Sequence, residues 1–565
     1  MNKNSSIENQ IGLPLSHSDD TFEQVFTETS RPTKELESEY RLVEEKIASL
    51  PADEADLNTA LPFNQSLVCN NYELDTLCTS LVEMLIAHLG LKKPSRIKYF
   101  TRTKVLLLNM LKAIQVHEGW ISISKNKNEY SACYYEHVSY QYLIVNNLNV
   151  LEQIGLIETV IGVYYDDLKR HTRIRAIGEL AEALVALDIQ PLAIHEDYRL
   201  QQTIILKEEK QWEFSKRLKR SYRYAKRIPY IDNEFSSNAR DNLKLLNKEI
   251  STRWIDLYVT DDEFEAINSS LLAEKDDYRT VIDFSSKMLC RIFNNSSFDH
   301  GGRFYGGWWE QIPSEWRPFI TINNCLTVEC DYSSLHPELV YSLNNRPRPE
   351  GDLYTIEGLS NYGVDRDSIK LATLIIINAT DEDKALSAIE RHEGIALENI
   401  QPDEFLASLI DKHSEISDRL FTGYGTTLQN IDSEIAERLM LRAVKELKTV
   451  ILPVHDSFII QHDYTDWLKE AMNEAYSEKA GRDIGTKFNL DFHDSPYGIE
   501  DNDTNRELRS GYFSRQSQWI EIHSNNIPPG IEGPENNNWY SPDDDYELEF
   551  IDHKALEKIT VPLSA

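Results

Sequence analysis

The sequence predicts an α+β protein built from several domains. With 565 residues, the chain is long enough for roughly three or four domains of ~150 residues each. Residues 70–120 carry the apolar spacing of helices, as in LCTSLVEMLIAHLGL and TKVLLLNMLKAI. Short apolar runs at 325–331 and 452–460 are typical of buried strands. Together these segments indicate an α+β fold with an antiparallel sheet.

Composition and charge exclude several classes of protein. The chain is 41% apolar, so it can build large cores and is not disordered as a whole. Its six cysteines form no CxxC pair, which argues against a disulfide framework or a zinc module and fits a reducing cytoplasm. The N-terminus is polar and no apolar run approaches ~18 residues, so we expect a cytoplasmic protein without a membrane span. A net charge of −34 taken alone argues against nucleic acid, but local patches matter more than the total.

The two ends of the chain differ from its middle. Residues 1–69 are acidic and polar, and we interpret them as a flexible arm. Residues 500–565 are rich in Asn, Pro, Gly and acid, as in IPPGIEGPENNNW and SPDDDYELEF, which predicts loops with poor order. This acidic tail is interpreted as a solubilising segment; the alternatives are that it masks a basic block or binds a protein partner.

Residues 70–190 contain a helix followed by a basic hairpin. The helix is predicted to start after a cap at Ser139 and to stop at Gly155, and the hairpin consists of LIETVIGVYY and HTRIRA. This order resembles the winged helix-turn-helix family, which implies a helix in the major groove of DNA and a wing that touches phosphate. The wing candidates are Arg170, His171, Arg173 and Arg175. The alternative is a winged helix that binds protein and never meets DNA.

A dense basic block follows within residues 191–300, which we interpret as a thumb-like or linker region. Seven cations and no acid occur between Lys216 and Arg227, with aromatic residues interleaved or adjacent. The cations are Lys216, Arg217, Lys219, Arg220, Arg223, Lys226 and Arg227. Cations beside aromatics suit a nucleic-acid backbone and its bases. The alternative is a solvated basic helix face.

Two aspartates stand where an apolar strand would otherwise bury them. Asp331 ends the strand in CLTVECDYSSLHPELVYSL, and Asp456 lies inside LPVHDSFII, which reads as one buried strand. An unpaired carboxylate is unfavourable there, although either residue alone could be a strand-end turn residue. Two aspartates on adjacent strands can both ionise if they share divalent cations, and two Mg²⁺ ions clamp the oxygens of a phosphoryl transfer. The sequence therefore predicts two Mg²⁺, or Mn²⁺, held between Asp331 and Asp456.

The sequence between the two aspartates supplies cations for a triphosphate. RDSIKLATLIIIN begins with Arg366 and Lys370, which are four residues apart and so lie on one face of a helix. Further on, LQNIDSEIAERLMLRAVKEL predicts an amphipathic helix that leads directly into the strand of Asp456. Paired carboxylates with two cations nearby indicate a site for phosphoryl transfer.

At this point residues 301–499 resemble the superfamily of family A DNA polymerases and single-subunit RNA polymerases. DYSSLHPEL resembles motif A, RDSIK falls on motif B, and VHDSF resembles motif C. LQNIDSEIAERLM resembles the helix before motif C, HGGRFYGGWWEQIPSEWRPFI resembles the approach to motif A, and GDLYTI resembles a segment between motifs A and B. Each fragment is short, but six in the family's order within the C-terminal third are specific.

The resemblance implies a right-hand polymerase-like palm, an antiparallel sheet, with helical fingers, preceded by the winged-helix domain. It implies metal ligation by Asp331, Asp456 and the Tyr332 carbonyl. For the nucleotide it implies contacts from Arg366, Lys370, His336 and Asn378, with Lys370 also protonating the leaving pyrophosphate. For primer and template it implies contacts from Arg303, Arg317, Gln429 and His455.

The chain departs from the family's pattern at two aromatic positions of motif B, which hold Leu374 and Asn378. His336 stands five residues after Asp331, where the DNA enzymes have a bulky gate against the ribose 2′-hydroxyl. An imidazole could crowd that hydroxyl or hydrogen-bond to it. These residues favour a DNA polymerase-like enzyme that uses dNTPs, suited to a mobile element, plasmid or phage. The alternatives are an RNA polymerase, a primase-like or template-independent nucleotidyltransferase, and a non-catalytic DNA-binding regulator with an inactive palm.

Overall fold

A computed structural model of the chain describes residues 60–523. The gaps within this range are 117–118, 131–138, 166–167, 201, 216–219, 274–280, 393, 396, 398, 485–487, 493–498 and 500–501. Most of the predicted arm, the tail beyond 523 and the cations Lys216, Arg217 and Lys219 lie outside the described residues. The fold is a mixture of helices and sheets in which most strand pairs are antiparallel, although Leu61–Pro62 runs parallel to Ile121–Ile123 and Ile204–Leu206 runs parallel to Cys290–Phe293. This confirms the α+β prediction at that level.

Residues 60–200, called the N-terminal module below, pack four helices on a small sheet. The helices are α1 (Tyr72–His88), α2 (Arg96–Val116), α3 (Asn149–Gln153, continuing the π-helical Gln141–Leu148) and α4 (Gly178–Ala186). The strands are β1 (Leu61–Pro62), β2 (Leu67–Val68), β3 (Ile121–Ile123), β4 (Ile157–Val160), β5 (Val163–Tyr165), β6 (Leu168–Arg170), β7 (Thr172–Ala176) and β8 (His195–Glu196). The sheet order is β1-β3-β7-β4, and β5–β6 extends the hairpin tip. The helix and hairpin predicted between 139 and 176 are present, whereas the winged-helix assignment stays a prediction.

The larger unit, residues 202–523, is built on a six-stranded sheet, called the central sheet. Its strands are β12 (Ile255–Leu257), β15 (Ile320–Ile322), β16 (Cys325–Tyr332), β17 (Leu452–Val454), β18 (Ser457–Gln461) and β19 (Phe488–Phe492). The order is β12-β15-β16-β18-β17, β19 also pairs with β16, and every pair is antiparallel. A second sheet has the order β14-β13-β9, and a separate hairpin joins two strands of the basic block. These strands are β9 (Ile204–Leu206), β10 (Gln211–Ser215), β11 (Arg220–Tyr224), β13 (Cys290–Phe293) and β14 (Gly301–Tyr305).

Helices pack around the two sheets of the larger unit, and one of them, Thr465–Ala480, lies against β16 and β18 of the central sheet. They are α5 (Glu234–Ser251), α6 (Asp261–Ala273), α7 (Leu335–Leu343), α8 (Arg366–Asn378), α9 (Glu382–Arg391), α10 (Pro402–Lys412), α11 (Gly425–Arg442) and α12 (Thr465–Ala480). Side chains alternate between the faces of a strand, so Val328 and Cys330 of β16 enter the core while Glu329 and Asp331 share the other face. The Tyr332 hydroxyl donates to the Met472 carbonyl of α12 at 2.7 Å, so the Tyr332 side chain lies on the face of the sheet that α12 covers.

The domain boundary predicted at 300/301 is wrong, because hydrogen-bonded strands lie on both sides of it. β13 pairs with β14, and β12 pairs with β15. One continuous buried core joins Ile204 to Ala480. The region interpreted as a thumb-like or linker segment therefore supplies part of the central sheet.

The prediction of loops from residue 500 onward is also wrong for its first part. Residues 503–522 form α13 (Asp503–Leu508) and α14 (Ser510–Ile522). Tyr512 and Trp519 of α14 are buried against Trp254. Arg515 donates to both oxygens of the fully buried Asp256 on the edge strand β12, at 2.8 and 2.7 Å. Helix α14 thus closes the edge of the central sheet.

Buried charges join the N-terminal module to the larger unit. Lys112 of α2 forms an ion pair with Asp283 at 2.7 Å. Glu196 of β8 accepts hydrogen bonds from the backbone of Lys287 and Met288 at 3.2 and 3.1 Å. Lys112 and Glu196 are both buried, so these contacts belong to the packed contact between the two units. Across residues 60–523, outside the gaps, every helix falls short of the length and apolar character that crossing a bilayer would require.

Candidate active site

Asp331 and Asp456, called the aspartate pair below, lie next to each other on the polar face of the central sheet. Asp331 is near the end of β16, directly opposite Ser457 on β18. Asp456 is not inside a strand, as the sequence suggested, because LPVHDSFII folds into the hairpin β17–β18. Val454 pairs with Ser457, so His455 and Asp456 form a two-residue turn, and His455 takes the positive φ of 57° that such turns use.

The aspartate pair is electrostatically unfavourable as it stands. Burial raises the pKa of Asp331 to about 8, and the neighbouring charge of Asp456 adds to this rise. Lys370 opposes the rise, as does a long hydrogen bond of 3.4 Å that Asn489 of β19 donates to Asp331. Asp456 has no side-chain hydrogen bond or ion pair with any residue that the structure describes. The two carboxylates therefore face each other with little internal compensation.

Helix α8 presents the two predicted phosphate-binding cations to the aspartate pair. Asp365 caps its N-terminus by accepting from the Ser368 backbone at 2.8 Å, which places Arg366 in the first turn and Lys370 one turn later. Arg366 is already hydrogen-bonded, because its guanidinium donates to the two carboxylate oxygens of Asp352 at 2.8 and 3.1 Å. Lys370 makes no ion pair with the described part of the chain, and its charge acts on Asp331 through space.

Tyr354 is a member of this site that the sequence interpretation missed. Tyr354 is buried, and the Arg366 guanidinium stacks over its ring at 5.2 Å. Burial is the main cause of the raised pKa of its phenol, and the charges of both aspartates add to it. Tyr354 lies in the segment GDLYTI, whose resemblance to a segment between motifs A and B is the sequence signal that points to it. Tyr354 and Asp352 together fix the position of Arg366.

A third carboxylate, Glu329, lies two residues before Asp331 on the same face of β16. Arg317, predicted to touch primer or template, donates to Glu329 through Nε at 2.7 Å. Ser457 donates its hydroxyl proton to the other Glu329 oxygen. The guanidinium of Arg317 is thus held at the sheet, beside the site.

Arg303, His336 and Asp432 form a buried group, called the Asp432 cluster, that joins β14, α7 and α11. Asp432 accepts from Arg303 at 3.0 and 2.6 Å through one oxygen, and His336 Nε2 lies 2.8 Å from the same oxygen. The three side chains are at most 10% exposed. The sequence predicted Arg303 and His336 as separate ligands of nucleic acid and ribose, and it missed Asp432, which anchors both.

The remaining candidates of the larger unit are His455, Gln429 and Asn378. The His455 ring is 6.2 Å from the Tyr305 ring, and Gln429 is partly exposed on α11. Asn378 donates to the Leu374 carbonyl at 2.9 Å and packs against Gly425, where any side chain would collide with its amide oxygen. The amide of Asn378 is therefore held against the start of α11.

The wing candidates are less available for contacts with DNA phosphates than the sequence suggested. Arg173 is 2% exposed and donates to the Ser122 hydroxyl and to the His171 carbonyl, so its burial argues against a phosphate contact. Arg175 forms an ion pair with Glu158 at 2.7 Å and stacks 4.4 Å from the Trp120 ring. For Arg170 of β6 and for Arg220 and Arg223 of β11 the structure describes only the backbone, and their proposed contacts stay predictions.

The residues of the aspartate pair fit a divalent cation. A half-buried carboxylate whose pKa is raised by burial and by a second carboxylate is a setting that favours an added positive charge, and oxygen ligands suit Mg²⁺. Among the described residues, no group of three or more His, Cys, Asp or Glu is arranged to hold a metal ion. A site of two carboxylates plus the Tyr332 carbonyl would leave the other coordination positions to water and substrate phosphates.

Comparisons with known proteins add little to this geometry. No family model matches the chain, and no curated protein matches it. Among solved structures, it aligns with the POL domain of Pol1 from M. smegmatis in complex with DNA primer-template and dNTP, at 11% identity and a TM-score of 0.23. The alignment covers 45% of this chain and 51% of that chain, so the chain spans about half the length of that structure. A likeness this slight carries no argument about fold or function.

Proposed function

We propose that the protein is a DNA polymerase-like nucleotidyltransferase, which transfers a nucleotide from a dNTP to the 3′ end of a primer on a template. The observation that carries the proposal is the aspartate pair, with its unmatched charge and with two cations of α8 beside it. Pairs of carboxylates that hold divalent ions next to phosphate-binding cations perform in-line phosphoryl transfer. A right-hand palm, with the central sheet as its floor and α8 in the fingers, accommodates this arrangement.

Each residue has a chemical task in this proposal. Asp331, Asp456 and the Tyr332 carbonyl would hold two Mg²⁺, or Mn²⁺, which supply positive charge to the attacking and leaving oxygens. The 3′-hydroxyl gives its proton to solvent, and its oxygen bonds to the α-phosphorus of the dNTP while the bond to pyrophosphate breaks. Arg366, at the N-terminus of α8, meets the triphosphate together with the partial positive charge of the helix end. Lys370 gives a proton to the leaving pyrophosphate.

The direct test is an incorporation assay with purified protein, Mg²⁺ or Mn²⁺ and a labelled primer–template, with dNTPs and rNTPs in parallel. Wild-type protein should extend the primer in a template-dependent way. Asp331→Asn and Asp456→Asn should not. Asp466→Asn is the matched control, because the Asp466 carboxylate is 96% exposed on the far helix α12. Absence of extension with either nucleotide set, by folded protein, would overturn the proposal.

An RNA-synthesising enzyme is the second candidate, favoured by the position of His336. Its Nε2 is anchored on Asp432, so the ring is fixed, and Nδ1 has no hydrogen-bond partner among the described residues. A fixed acceptor could bind a ribose hydroxyl instead of excluding it. His336→Ala, assayed with dNTPs and rNTPs separately, distinguishes the two. A rise in rNTP use identifies a gate, whereas a fall identifies a ribose ligand and an RNA-synthesising enzyme.

The third candidate is a non-catalytic DNA-binding regulator, which would bind DNA without extending it. Binding is tested by the salt dependence of affinity for duplex and single-stranded DNA. Neutralising Lys216, Arg217, Lys219 and Arg220 together should lower the slope by about 0.9 per lost phosphate contact on duplex, or about 0.7 on single strands. An unchanged slope would mean that this basic block is a solvated surface.

A further inference from the structure

Glu329 joins the two elements that carry the aspartate pair. It lies on β16 two residues before Asp331, and it accepts the Ser457 hydroxyl from the neighbouring strand β18. Ser457 is opposite Asp331 and follows Asp456 directly in the chain. The side chain of Glu329 is 8% exposed, so this hydrogen bond is shielded from water.

The hydroxyl of Ser457 has two acceptors within reach but only one proton to donate. The Val454 carbonyl lies 3.0 Å from Ser457 Oγ, on the other side of the turn. A carboxylate is the stronger acceptor, because a hydrogen bond to an ionised group is roughly twice as strong as a neutral one. Ser457 therefore donates to Glu329, and the hydrogen bond links the turn of Asp456 to β16.

Packing alone does not explain a third acid beside the aspartate pair, because its charge repels theirs. Its charge adds to the field that acts on Asp331, and a neutral Gln could also accept the Ser457 hydrogen bond, although more weakly. The negative charge of Glu329 has one evident use, because it holds the Arg317 guanidinium at 2.7 Å. One carboxylate thus holds both the turn of Asp456 and a cation at the edge of the cleft.

We propose that Glu329 is a positioning residue, which sets the separation of Asp331 and Asp456 through Ser457 and fixes Arg317 beside them. This inference rests on the proposed function, because the separation matters only if the two aspartates hold cations together. Ser457→Ala should leave the hairpin intact, because its backbone pairing remains, but the turn should loosen. The concentration of Mg²⁺ or Mn²⁺ needed for half-saturation should rise by about tenfold, as expected for the loss of a hydrogen bond to a charged group.

The first readout is metal binding in the full chain without nucleotide, followed as the rise in Tm with Mn²⁺ concentration. The second is primer extension as a function of metal concentration. Ser457→Ala should raise the half-saturating concentration in both, with little change in kcat at saturating metal. Ser457→Thr, which keeps the hydroxyl, should restore the wild-type value. Ser517→Ala is the matched control, because that hydroxyl bonds to its own helix α14 at the Phe513 carbonyl.

Glu329→Gln separates the two contacts of this residue. The amide can still accept from Ser457, but it loses the charge that holds Arg317. We therefore expect a smaller change in metal requirement and a larger rise in KM for primer–template. An unchanged half-saturating concentration in Ser457→Ala would overturn the inference. Absence of extension by wild-type protein, with the metal-dependent change in Tm still sensitive to Ser457→Ala, would overturn the proposed function and leave the positioning role standing.

Discussion

Asp331 and Asp432 are both acids at the heart of the larger unit, and their surroundings differ in almost every respect. Asp432 is buried in the Asp432 cluster, where Arg303 and His336 contact one of its oxygens at 3.0 Å or less. Within the part of the chain that the structure describes, Asp331 accepts only a 3.4 Å hydrogen bond from Asn489, and a second carboxylate lies beside it. One acid has its charge matched inside the protein, whereas the other does not.

This difference separates a structural acid from a functional one. A buried charge that is fully paired stabilises the arrangement of its helices and strands, but it has little capacity left for a ligand. A carboxylate whose pKa is raised by burial and by a like charge is unfavourable in its ionised form unless it binds a cation. The comparison therefore predicts that changes at the aspartate pair alter activity, while removal of Asp432 itself lowers the stability of the fold.

The largest effect should come from Asp331→Ala and Asp456→Ala. Each should abolish primer extension while the protein stays folded, because removal of one ligand from a two-metal site costs several kcal/mol of transition-state stabilisation. The measurement is the extension rate, with circular dichroism as the check on folding. If either folded variant kept more than about a tenth of wild-type activity, the aspartate pair would not be the catalytic centre.

The next effect is on stability, at the Asp432 cluster. Asp432→Ala leaves Arg303 and His336 buried without their acceptor, and the loss of one partner from a buried ion pair costs about 3–5 kcal/mol. Urea unfolding should show this loss as a lower midpoint with an unchanged slope. Asp432→Asn, which keeps the shape and one acceptor, should lose less. A variant as stable as wild type would place the cluster among the functional residues instead.

A smaller effect is expected in the pH dependence of stability without metal. The raised pKa of Asp331 means that, between about pH 4 and about pH 8, the folded protein holds a proton that the unfolded chain has lost. The contribution of this group to stability is present below pH 4 and is lost as pH rises through that window. Asp331→Asn should therefore gain Tm relative to wild type at pH 8, by about 1–3 °C, but not at pH 4.

Saturating Mg²⁺ should remove most of this difference between Asp331→Asn and wild type at pH 8, because the cation stabilises only the ionised pair. The same scan with Asp466→Asn supplies the baseline for an exposed acid. Parallel Tm curves for wild type and Asp331→Asn across the whole pH range would show that Asp331 is ionised normally.

The smallest effect concerns Lys370, which opposes the rise in the pKa of Asp331. Lys370→Met keeps the length of the side chain on α8 but removes its charge. The loss of Tm in the metal-free protein should then continue to higher pH and become larger, since Asp331 is harder to ionise in the folded state. Lys384→Met on the neighbouring helix α9 is the control, because that lysine pairs locally with Asp381. Equal Tm profiles for the two variants would remove Lys370 from the site.

The sequence predicted those parts of the site that depend on local pattern. The strand of Asp331, the helix of Arg366 and Lys370, and the helix of Gln429 follow from apolar spacing, and all three are present. The turn at His455 and Asp456 was misinterpreted because apolar residues on both sides continue the strand pattern. A two-residue turn without Gly or Asn leaves little trace in that pattern.

Contacts between distant segments could not be predicted in the same way. Arg303 and Asp432 are 129 residues apart, and nothing near either residue shows that they pair. Helix α14 was missed because the segment after 500 was judged by its overall composition, although Tyr512, Phe513 and Trp519 give it a buried side. Burial of such side chains depends on the partner surface, which only the folded chain supplies.

The hydrogen bonds between Arg515 and Asp256 have a consequence for how the protein is made. Asp256 leaves the ribosome 259 residues before its partner, which at ~5–20 residues per second is about 13–50 s. During that time its carboxylate has no arginine to accompany it into the core, so the packing of β12 at the sheet edge is disfavoured. The growing chain would carry an open strand edge beside β15, which is a surface that joins other chains. A cell that produces this protein quickly would therefore depend on chaperones until the last helix emerges.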